Sequence, residues 1–347
     1  LMKSPTPKQI IRMLLFVGTA ISLYFVPWPI VTAWITPLPN TIQEQVNNAK
    51  DYGFDGIVVF VDRGQEKQQE FYTSGYKNRA LQTPADPQAL FKIASVSKLY
   101  VALSIAKLER SGKLSIHKTL SHYLPELEGS IDNAKDITLK MMVTHRSGIP
   151  NYTDVPNFWA NPPSSEQKVL ELVLNKPANF EPDQDYEYSN TNYLLLGRVM
   201  NRVLGYSHLQ YIQQEILNPL HLNNTYTSLN DVNIEDVMSG YYVGYEEDLK
   251  TDYIGSMLAT AQDLGKFIRA LNDGSAFSDA KEQEIYTSLY KFNHTGLIPG
   301  YQTIAEYHQD INTVVIQFTN TVNFNGYNWN LSEIMYSRIL KILKSKD

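Results

Sequence analysis

Segments with the composition of β-strands lie near the two ends of this chain, and that distribution restricts the folds it can adopt. Residues 56–62 (GIVVFVD) and 69–75 (QEFYTSG) are β-branched and aromatic, which predicts a hairpin across Arg63-Gly64-Gln65. Residues 301–307 and 313–319 alternate like strands near the other end. Because the residues between these pairs have helical patterns, we expect both ends of the chain to contribute to one sheet.

Helical spacing dominates the middle of the chain. Residues 97–110 place apolar side chains at helical intervals and are followed by Ser111-Gly112, a helix-ending pair. Residues 120–235 are mostly helical in pattern, most clearly at 193–204, and residues 329–343 predict a closing helix. The expected fold class is α+β, with an antiparallel sheet built from both ends of the chain, flanking helices and a mostly helical insertion. We place the sheet part at about 50–120 and 250–347, and the helical part at about 121–249.

The first 36 residues differ in composition from the rest. Lys3, Lys8 and Arg12 are the only charged residues before Glu44, and an apolar run fills residues 13–26 and resumes over 30–35. A basic start followed by an apolar run is typical of an export signal or a membrane anchor. The first run suits a cleaved signal, with Val31-Thr32-Ala33 as the cleavage site. The whole run approaches the roughly 20 residues that span a bilayer. Residues 1–36 are therefore predicted to be an export signal or a membrane anchor, and residues 37–347 an exported domain. The alternative for the apolar run is a buried core helix.

Composition excludes several classes of function. Hydrophobic residues make up 43% of the chain and charged residues 19%, as in ordinary globular proteins. The formal net charge of −6 offers no basic surplus for nucleic-acid binding. The chain has no cysteine, which excludes disulfides, thiolate catalysis, iron–sulfur clusters and cysteine-ligated zinc.

A serine and a lysine stand three residues apart where the helix over 97–110 is predicted to start. Residues at i and i+3 share a helix face, so the amine of Lys98 can reach the oxygen of Ser95. The unpaired N–H groups of a helix start would also stabilise an oxyanion there. Alone the pattern is weak, because Ser115 and Lys118 repeat it and a helix-capping serine would look the same.

Two further triplets have the residue types of a hydrolytic site. Tyr188-Ser189-Asn190 precedes a predicted helix, and a tyrosine beside a lysine can act as a proton shuttle. Tyr76-Lys77-Asn78 repeats that triplet at a strand end. His294-Thr295-Gly296 precedes the carboxy-terminal strands, where glycine lets a ligand approach the backbone closely.

The order and spacing of these motifs resemble the class C β-lactamase and D-alanyl-D-alanine carboxypeptidase superfamily of penicillin-recognising serine hydrolases. A sister version of the motif set has Ser-x-x-Lys, Ser-Asp-Asn and Lys-Thr-Gly. The resemblance covers nearly the whole predicted domain and favours Ser95 and Tyr188 over the repeated patterns. Besides the three motifs it rests on these segments: Phe91-Lys92-Ile93-Ala94, Ile137-Thr138-Leu139, Thr144-His145-Arg146-Ser147-Gly148-Ile149-Pro150, Asn218-Pro219-Leu220, Gly255-Ser256-Met257 and Ala261-Gln262-Asp263-Leu264.

The resemblance implies a β-lactamase/transpeptidase-like fold and a role for each motif residue. Ser95 would be the nucleophile of an acyl-enzyme. Lys98 and Tyr188 would exchange its proton, and which of them is the acylation base stays open. Asn190 would hold Lys98 and the substrate amide. No metal or cofactor is implied.

The third motif would form a sheet edge along which an extended acyl chain docks. It consists of His294, Thr295 and Gly296, and the backbone N–H of the following Leu297 would complete an oxyanion hole with that of Ser95.

His294 departs from the lysine that class C β-lactamases usually carry at that position. A histidine there resembles the carboxypeptidase, esterase and D-aminopeptidase branches. A free imidazole titrates near pH ~6.5, so binding of a substrate carboxylate is expected to depend on pH around that value. His145 is expected to be structural.

The resemblance favours an exported hydrolase of the bacterial cell envelope, in the periplasm or on the outer face of the membrane. The leading expectation is a DD-carboxypeptidase-like peptidase acting on D-Ala-D-Ala stems. Alternatives are an esterase, a weak β-lactamase, and a penicillin-binding sensor that does not turn over. The expected partners are small peptides or esters, including peptidoglycan stem peptides or β-lactams, and a membrane if the first 36 residues are retained. Nucleic acid is not expected.

Overall fold

A six-stranded antiparallel sheet forms the centre of the molecule. The computed structural model describes residues 6–64, 69–252 and 255–345. The strands of the described residues, in all sheets together, are β1 (Gly56–Asp62), β2 (Glu70–Asn78), β3 (Thr83–Pro84), β4 (Phe91–Lys92), β5 (Thr225–Tyr226), β6 (Tyr241–Tyr242), β7 (Leu258–Ala259), β8 (His294–Ile298), β9 (Tyr301–His308), β10 (Thr313–Thr319) and β11 (Thr321–Val322). The main sheet has the order β3-β2-β1-β10-β9-β8.

Strands from the two ends of the chain meet in the middle of this sheet. β1 pairs with β10 from Ile57 opposite Thr319 to Asp62 opposite Val314. β1 also pairs with β2, as the predicted hairpin requires, although Gln65 of its predicted turn lies outside the described residues. The predicted α+β class and the sheet built from both ends are therefore confirmed.

Helices cover both faces of the sheet, and in the middle of the chain short helices alternate with turns and loops. The helices are α1 (Pro7–Tyr24), α2 (Trp28–Ile35), α3 (Ile42–Asn47), α4 (Ser97–Arg110), α5 (Leu120–Tyr123), α6 (Leu139–Val143), α7 (Glu166–Glu171), α8 (Asn190–Leu204), α9 (His208–Ile212), α10 (Ala261–Asp273), α11 (Ala280–Leu289) and α12 (Asn328–Lys344). A 3₁₀ turn, Ala94–Val96, leads into α4. Several ends follow local rules; α8, for example, ends at Gly205 in the left-handed conformation.

β1 separates two hydrophobic cores. Its seven residues are all buried, and because side chains alternate along a strand they point into both cores. Val58 and Phe60 join the larger core with residues of α4, α8 and α10. Ile57, Val59 and Val61 join the smaller one with residues of α2, α3 and α12. The β-branched run at 56–62 is explained by burial on both faces.

The amino-terminal helices are apolar but bent. In the described part of the chain, no helix alone is both long and apolar enough to cross a bilayer. α1 and α2 satisfy that test of length and composition as a pair, with an angle of 82° between them.

Candidate active site

Ser95 lies in a constrained turn at the start of α4. Ala94, the residue before it, has a φ of +52°, a left-handed conformation that costs a residue with a Cβ atom free energy. The turn is held in place because the Ala94 N–H donates to Ser256 Oγ at 2.8 Å. Ser95 is left half-buried while Ala94 and Val96 on either side are buried. The turn therefore presents the Ser95 hydroxyl at the mouth of a packed core.

Three side chains from two helices and the loop before α8 meet at or beside this hydroxyl. The Tyr188 hydroxyl donates to Ser95 Oγ at 2.8 Å, and Lys98 Nζ lies 3.2 Å from the same oxygen. Lys98 Nζ also donates to Asn190 Oδ1 at 2.8 Å. Residues 95, 98, 188 and 190, which the motifs singled out, are thus joined in one hydrogen-bonded group.

Burial changes the proton affinity of both groups that contact Ser95. Burial and, to a smaller extent, the positive charge of Lys291 together lower the pKa of Lys98 to about 7. Burial also raises the pKa of Tyr188 well above its usual value, although the hydrogen bond to Ser95 acts against this. Near neutral pH the tyrosine therefore keeps its proton, while an appreciable fraction of Lys98 is the neutral amine. A neutral amine can donate to Asn190 and still accept the proton of Ser95.

A second hydrogen-bonded layer orients Asn190. Asn151 Oδ1 accepts from the backbone N–H of Asn190 at 3.0 Å and from its Nδ2 at 3.2 Å. Asn190 Nδ2 also donates to Thr153 Oγ1 at 3.3 Å. Because both amide hydrogens are held on this side, the Asn190 carbonyl oxygen must face Lys98. The expected contact of Asn190 with a substrate amide requires one of these two bonds to open.

Sequence reasoning missed Asn151. Its own Nδ2 donates to Thr153 Oγ1 at 2.7 Å and to Asp154 Oδ1 at 2.8 Å, so every polar atom of the buried side chain is used. The sequence signal that could have identified it is its position directly after Pro150, at the end of the family-like segment 144–150.

His145 supports the tyrosine and does not contact Ser95 in the described structure. Its ring stacks on that of Tyr188, with centroids 4.4 Å apart, and its Nδ1 accepts from the Ser189 N–H at 3.1 Å. Burial lowers the pKa of His145 to about 3, helped by the charges of Lys98 and Lys291. A neutral, buried imidazole in this position holds the loop and Tyr188 in place, in agreement with the structural role expected for it.

The third motif forms β8, the edge strand of the main sheet, directly beside the Ser95 turn. A Cβ atom on Gly296 would lie 2.4 Å from the Ile93 carbonyl oxygen and 3.0 Å from Ala94 Cβ. Only glycine therefore allows β8 to lie this close to the turn. Side chains alternate between the two faces of β8. His294, Gly296 and Ile298 are on the buried face, and Thr295 and Leu297 are on the half-buried face. In the described structure, none of the side chains of residues 294–297 hydrogen-bonds to Ser95.

His294 points inward and is neutral. Its Nδ1 faces the Thr295 carbonyl oxygen and must therefore carry a hydrogen, so Nε2 accepts from the Tyr290 hydroxyl at 2.8 Å. Burial lowers the pKa of His294 to about 3, and the charges of Lys291 and Lys98 add to the effect. The expectation that His294 titrates near pH 6.5 is therefore wrong for the folded protein. No sequence signal pointed to Tyr290.

One cavity lies away from these residues. It has a volume of about 500 Å³ and contains the ion pair of Arg269 with Asp62, but none of the motif residues lines it. Hydrogen bonding and pKa, rather than cavity size, locate the candidate site. Within residues 6–64, 69–252 and 255–345, no group of three or more His, Asp or Glu side chains is arranged to hold a metal ion.

Comparisons with known proteins identify the family and the fold. The Beta-lactamase family model matches residues 38–291, which ends just before the third motif. The Bacillus subtilis penicillin-binding protein PbpX is 27% identical over 304 residues, covering 81% of this chain and 74% of that protein. The crystal structure of D-amino acid amidase from Ochrobactrum anthropi has a TM-score of 0.78 at 20% identity, covering 89% of this chain and 99% of the amidase. The crystal structure of a class C β-lactamase from Rhodobacter sphaeroides has a TM-score of 0.68 at 22% identity, covering 88% of this chain and 100% of the β-lactamase. The chain belongs to the Beta-lactamase family of serine hydrolases.

Proposed function

We propose that this enzyme hydrolyses amide bonds next to D-amino acid residues, with D-Ala-D-Ala peptides as the substrate class, through an acyl-enzyme on Ser95. The observation that carries the proposal is the placement of Ser95 Oγ between Tyr188 and a lysine whose pKa is near neutrality. The fold shared with a D-amino acid amidase and the similarity to a penicillin-binding protein support the choice of substrate class.

Acylation begins with the transfer of the Ser95 hydroxyl proton to the neutral amine of Lys98. Ser95 Oγ forms a bond to the substrate carbonyl carbon, and the carbonyl electron pair moves onto its oxygen. When that pair returns, the C–N bond breaks and the leaving nitrogen takes the proton of Tyr188. The phenolate then regains a proton from the Lys98 ammonium, so the serine proton has in effect reached the leaving group.

Deacylation uses the same groups in reverse. A water molecule takes the place of the leaving amine. Tyr188 passes its phenol proton to the neutral amine of Lys98 and takes a proton from the water, whose oxygen attacks the ester carbonyl. The C–O bond to Ser95 then breaks, and Oγ takes a proton from the Lys98 ammonium, which restores the neutral amine. The backbone N–H groups of Ser95 and Leu297 are proposed to stabilise the oxyanion in both steps, an effect of about 2.7–4 kcal/mol per donor.

A carboxylate-bearing substrate needs a positive charge that His294 does not supply. Lys291 lies just before β8, and its charge is felt at Lys98, His145 and His294. We propose that Lys291 attracts the carboxylate of a peptide substrate. Lys291→Gln is then expected to raise KM for a D-Ala-D-Ala peptide more than for a neutral ester, whereas Lys281→Gln on the exposed side of α11 changes neither. Equal effects on both substrates would remove Lys291 from this role.

The neutral state of His294 also favours a second candidate, hydrolysis of uncharged esters. A panel of a D-Ala-D-Ala peptide, a D-amino acid amide, nitrocefin and p-nitrophenyl acetate separates the candidates by kcat/KM. We expect the D-configured peptide or amide to be preferred over its L-enantiomer. A preference for the ester, with no discrimination between enantiomers, would replace the proposed substrate class by the second one.

Covalent labelling tests the nucleophile. Intact-mass analysis with a fluorescent penicillin or a fluorophosphonate should show one adduct, which Ser95→Ala abolishes. Ser115→Ala is the matched control, because Ser115 repeats the motif spacing while its hydroxyl accepts from the His117 N–H at 3.3 Å. Labelling that persists in Ser95→Ala would refute the assignment.

A sensor that acylates without turnover is distinguished by product release. With Tyr188 and Lys98 both at Ser95, we expect each enzyme molecule to release many product molecules. A single burst equal to the enzyme concentration, with a stable adduct, would support the sensor instead.

A further inference from the structure

The helix α1 exposes apolar side chains on all of its sides. None of its residues is buried, and Met13, Leu14, Leu15, Phe16 and Val17 follow one another, so that they point in every direction around the helix. A helix that docks on a protein has one polar face, whereas a helix that is apolar all round belongs in a protein core or in lipid. Since α1 is outside the core, a second protein surface fits it less well than a bilayer.

Aromatic residues cluster where α1 meets α2. This aromatic elbow consists of Tyr24, Phe25 and Trp28, which are 84%, 75% and 46% exposed. Amphipathic aromatic rings are characteristic of the boundary between lipid and water. At the other end of α1 lie Lys8 and Arg12, and there is no further charge before Glu44. An apolar segment with basic residues at one end and aromatic residues at the other matches the polarity of an exported membrane protein.

The segment that follows the elbow is part of the folded domain. The guanidinium of Arg338 in α12 donates to the carbonyl oxygens of Ala33 at 3.3 Å, Thr36 at 2.8 Å and Pro37 at 2.8 Å, and to Gln45 Oε1 at 2.8 Å. We call this set the Arg338 clasp. Arg338 is buried, so these oxygens replace the water that a guanidinium would otherwise bind. They include carbonyls at the end of α2, where a cation is favourable.

Cleavage after Ala33 would break the clasp. It would remove the Ala33 carbonyl and all but the last two residues of α2, and it would leave a new ammonium group on Trp34 beside the buried guanidinium. Two like charges at a buried site are strongly unfavourable. In the intact chain Lys341 Nζ lies 5.1 Å from the centre of the Trp34 ring. Cleavage would free the backbone of Trp34 and weaken this cation–π contact.

We propose that the residues up to Ala33 stay attached in the mature protein, that α1 and the aromatic elbow bind a lipid bilayer, and that the Arg338 clasp fastens this anchor to the hydrolase domain. The clasp lies in the smaller core, on one side of the sheet, and the Ser95 turn lies in the larger core on the other side. The clasp and the Ser95 turn are therefore on opposite faces of the sheet.

Intact mass tests retention. The full chain with a carboxy-terminal tag is expressed in a bacterium, and its membranes are washed with alkaline carbonate. The proposal expects the protein in the washed membranes, with a mass that includes the residues before Trp34. A soluble protein whose mass begins at Trp34, and which is still labelled at Ser95, would overturn it.

Vesicle flotation tests the lipid contact independently of the hydrolase activity. Vesicles of phosphatidylethanolamine and phosphatidylglycerol are mixed with the full chain, with Leu15→Arg in α1, or with Leu81→Arg, an equally exposed position far along the chain. Leu15→Arg should lower the partition into vesicles by about 100-fold, as expected for an arginine placed in hydrocarbon. Fluorophosphonate labelling should be equal in all three proteins. Equal flotation of the two variants would refute the lipid contact.

Limited proteolysis tests the clasp. In Arg338→Gln the chain over 33–37 should be cut faster than in the wild type. The control is Arg110→Gln, since the guanidinium of Arg110 pairs with Asp279 at the surface. If both variants resist the protease equally, the clasp does not hold the segment.

Discussion

At the scale of single residues, the pKa of Lys98 determines when Ser95 can be activated. Because burial and Lys291 lower that pKa to about 7, the fraction of neutral amine rises as the pH passes through this value. We expect kcat/KM to rise in one step centred near pH 7 and then to stay level, since the pKa of Tyr188 is raised and its phenol keeps its proton. The step should be the same for a peptide and for a neutral ester.

Lys291→Gln removes a like charge and should move this step to higher pH, while Lys281→Gln should leave it in place. Stopped-flow acylation rates measured across the pH range provide the check. If the pH step disappears in a variant of His294 and its midpoint does not move in Lys291→Gln, the titrating group is the histidine and not Lys98.

Asn151 is a positioning residue, because it acts through the orientation of Asn190. Asn151→Ala removes the acceptor that holds the Asn190 amide, so Lys98 loses its fixed partner. We expect kcat to fall roughly 10-fold, the equivalent of about one buried hydrogen bond, with KM little changed. Asn161→Ala, on an exposed part of the same loop, is the control. A change in KM alone would mean that Asn151 contacts substrate.

Local spacing and long-range packing explain which site residues could be predicted. An i, i+3 pair on a helix is a local constraint, so the contact of Lys98 with Ser95 follows from sequence. The contacts of Asn151 with Asn190 and of Tyr290 with His294 depend on how loops and helices pack. The neutral state of His294 also depends on burial, which the composition of a triplet does not reveal.

At the scale of elements, the close approach of β8 to the Ser95 turn sets the geometry of the oxyanion hole. Gly296→Ala would place a methyl group 2.4 Å from the Ile93 carbonyl oxygen and force the strand outward. We expect acylation to slow by about 100-fold, as when one oxyanion donor is lost, with the melting temperature reduced only slightly.

The control is Leu297→Ala in the same strand, which keeps the backbone N–H on which the proposed role of Leu297 rests. Fluorophosphonate labelling rates and thermal melts measure both variants. If Gly296→Ala is labelled as fast as Leu297→Ala, the distance between β8 and the turn does not limit the reaction.

Elements whose patterns reflect burial could be read from sequence. β1, β10 and α4 have the predicted bounds, because strands buried on both faces and a helix with a regular apolar stripe leave clear periodicity. The short strands β4, β5 and β7 were not predicted. They pair only with one another, two residues at a time, and their positions depend on tertiary contacts, such as the Lys92 ammonium donating to the carbonyls of Leu249 and Asp252.

At the scale of the whole molecule, the fold keeps several basic side chains neutral or nearly so. His145 and His294 are buried close enough to Lys98 for its charge to lower the pKa of both, and the pKa of Lys98 is itself lowered by burial. Their burial links the site to global stability, because the folded state must exclude protons that the unfolded chain would bind. The same desolvation that prepares Lys98 to accept a proton therefore makes the fold sensitive to acid.

The free energy of unfolding should consequently fall as the pH drops from about 6.5 toward 4. The pKa of each of these histidines is near 6.5 in the unfolded chain and about 3 in the folded protein, so between these values the unfolded state binds more protons. Each histidine contributes a slope of up to about 1.4 kcal/mol per pH unit. Urea unfolding followed between pH 7 and pH 5 should show a shallower slope for His294→Gln, while His117→Gln at an exposed position should keep the wild-type slope. An unchanged slope in His294→Gln would mean that its imidazole titrates in the folded protein as it does in the unfolded chain, and the neutral third motif would have to be abandoned.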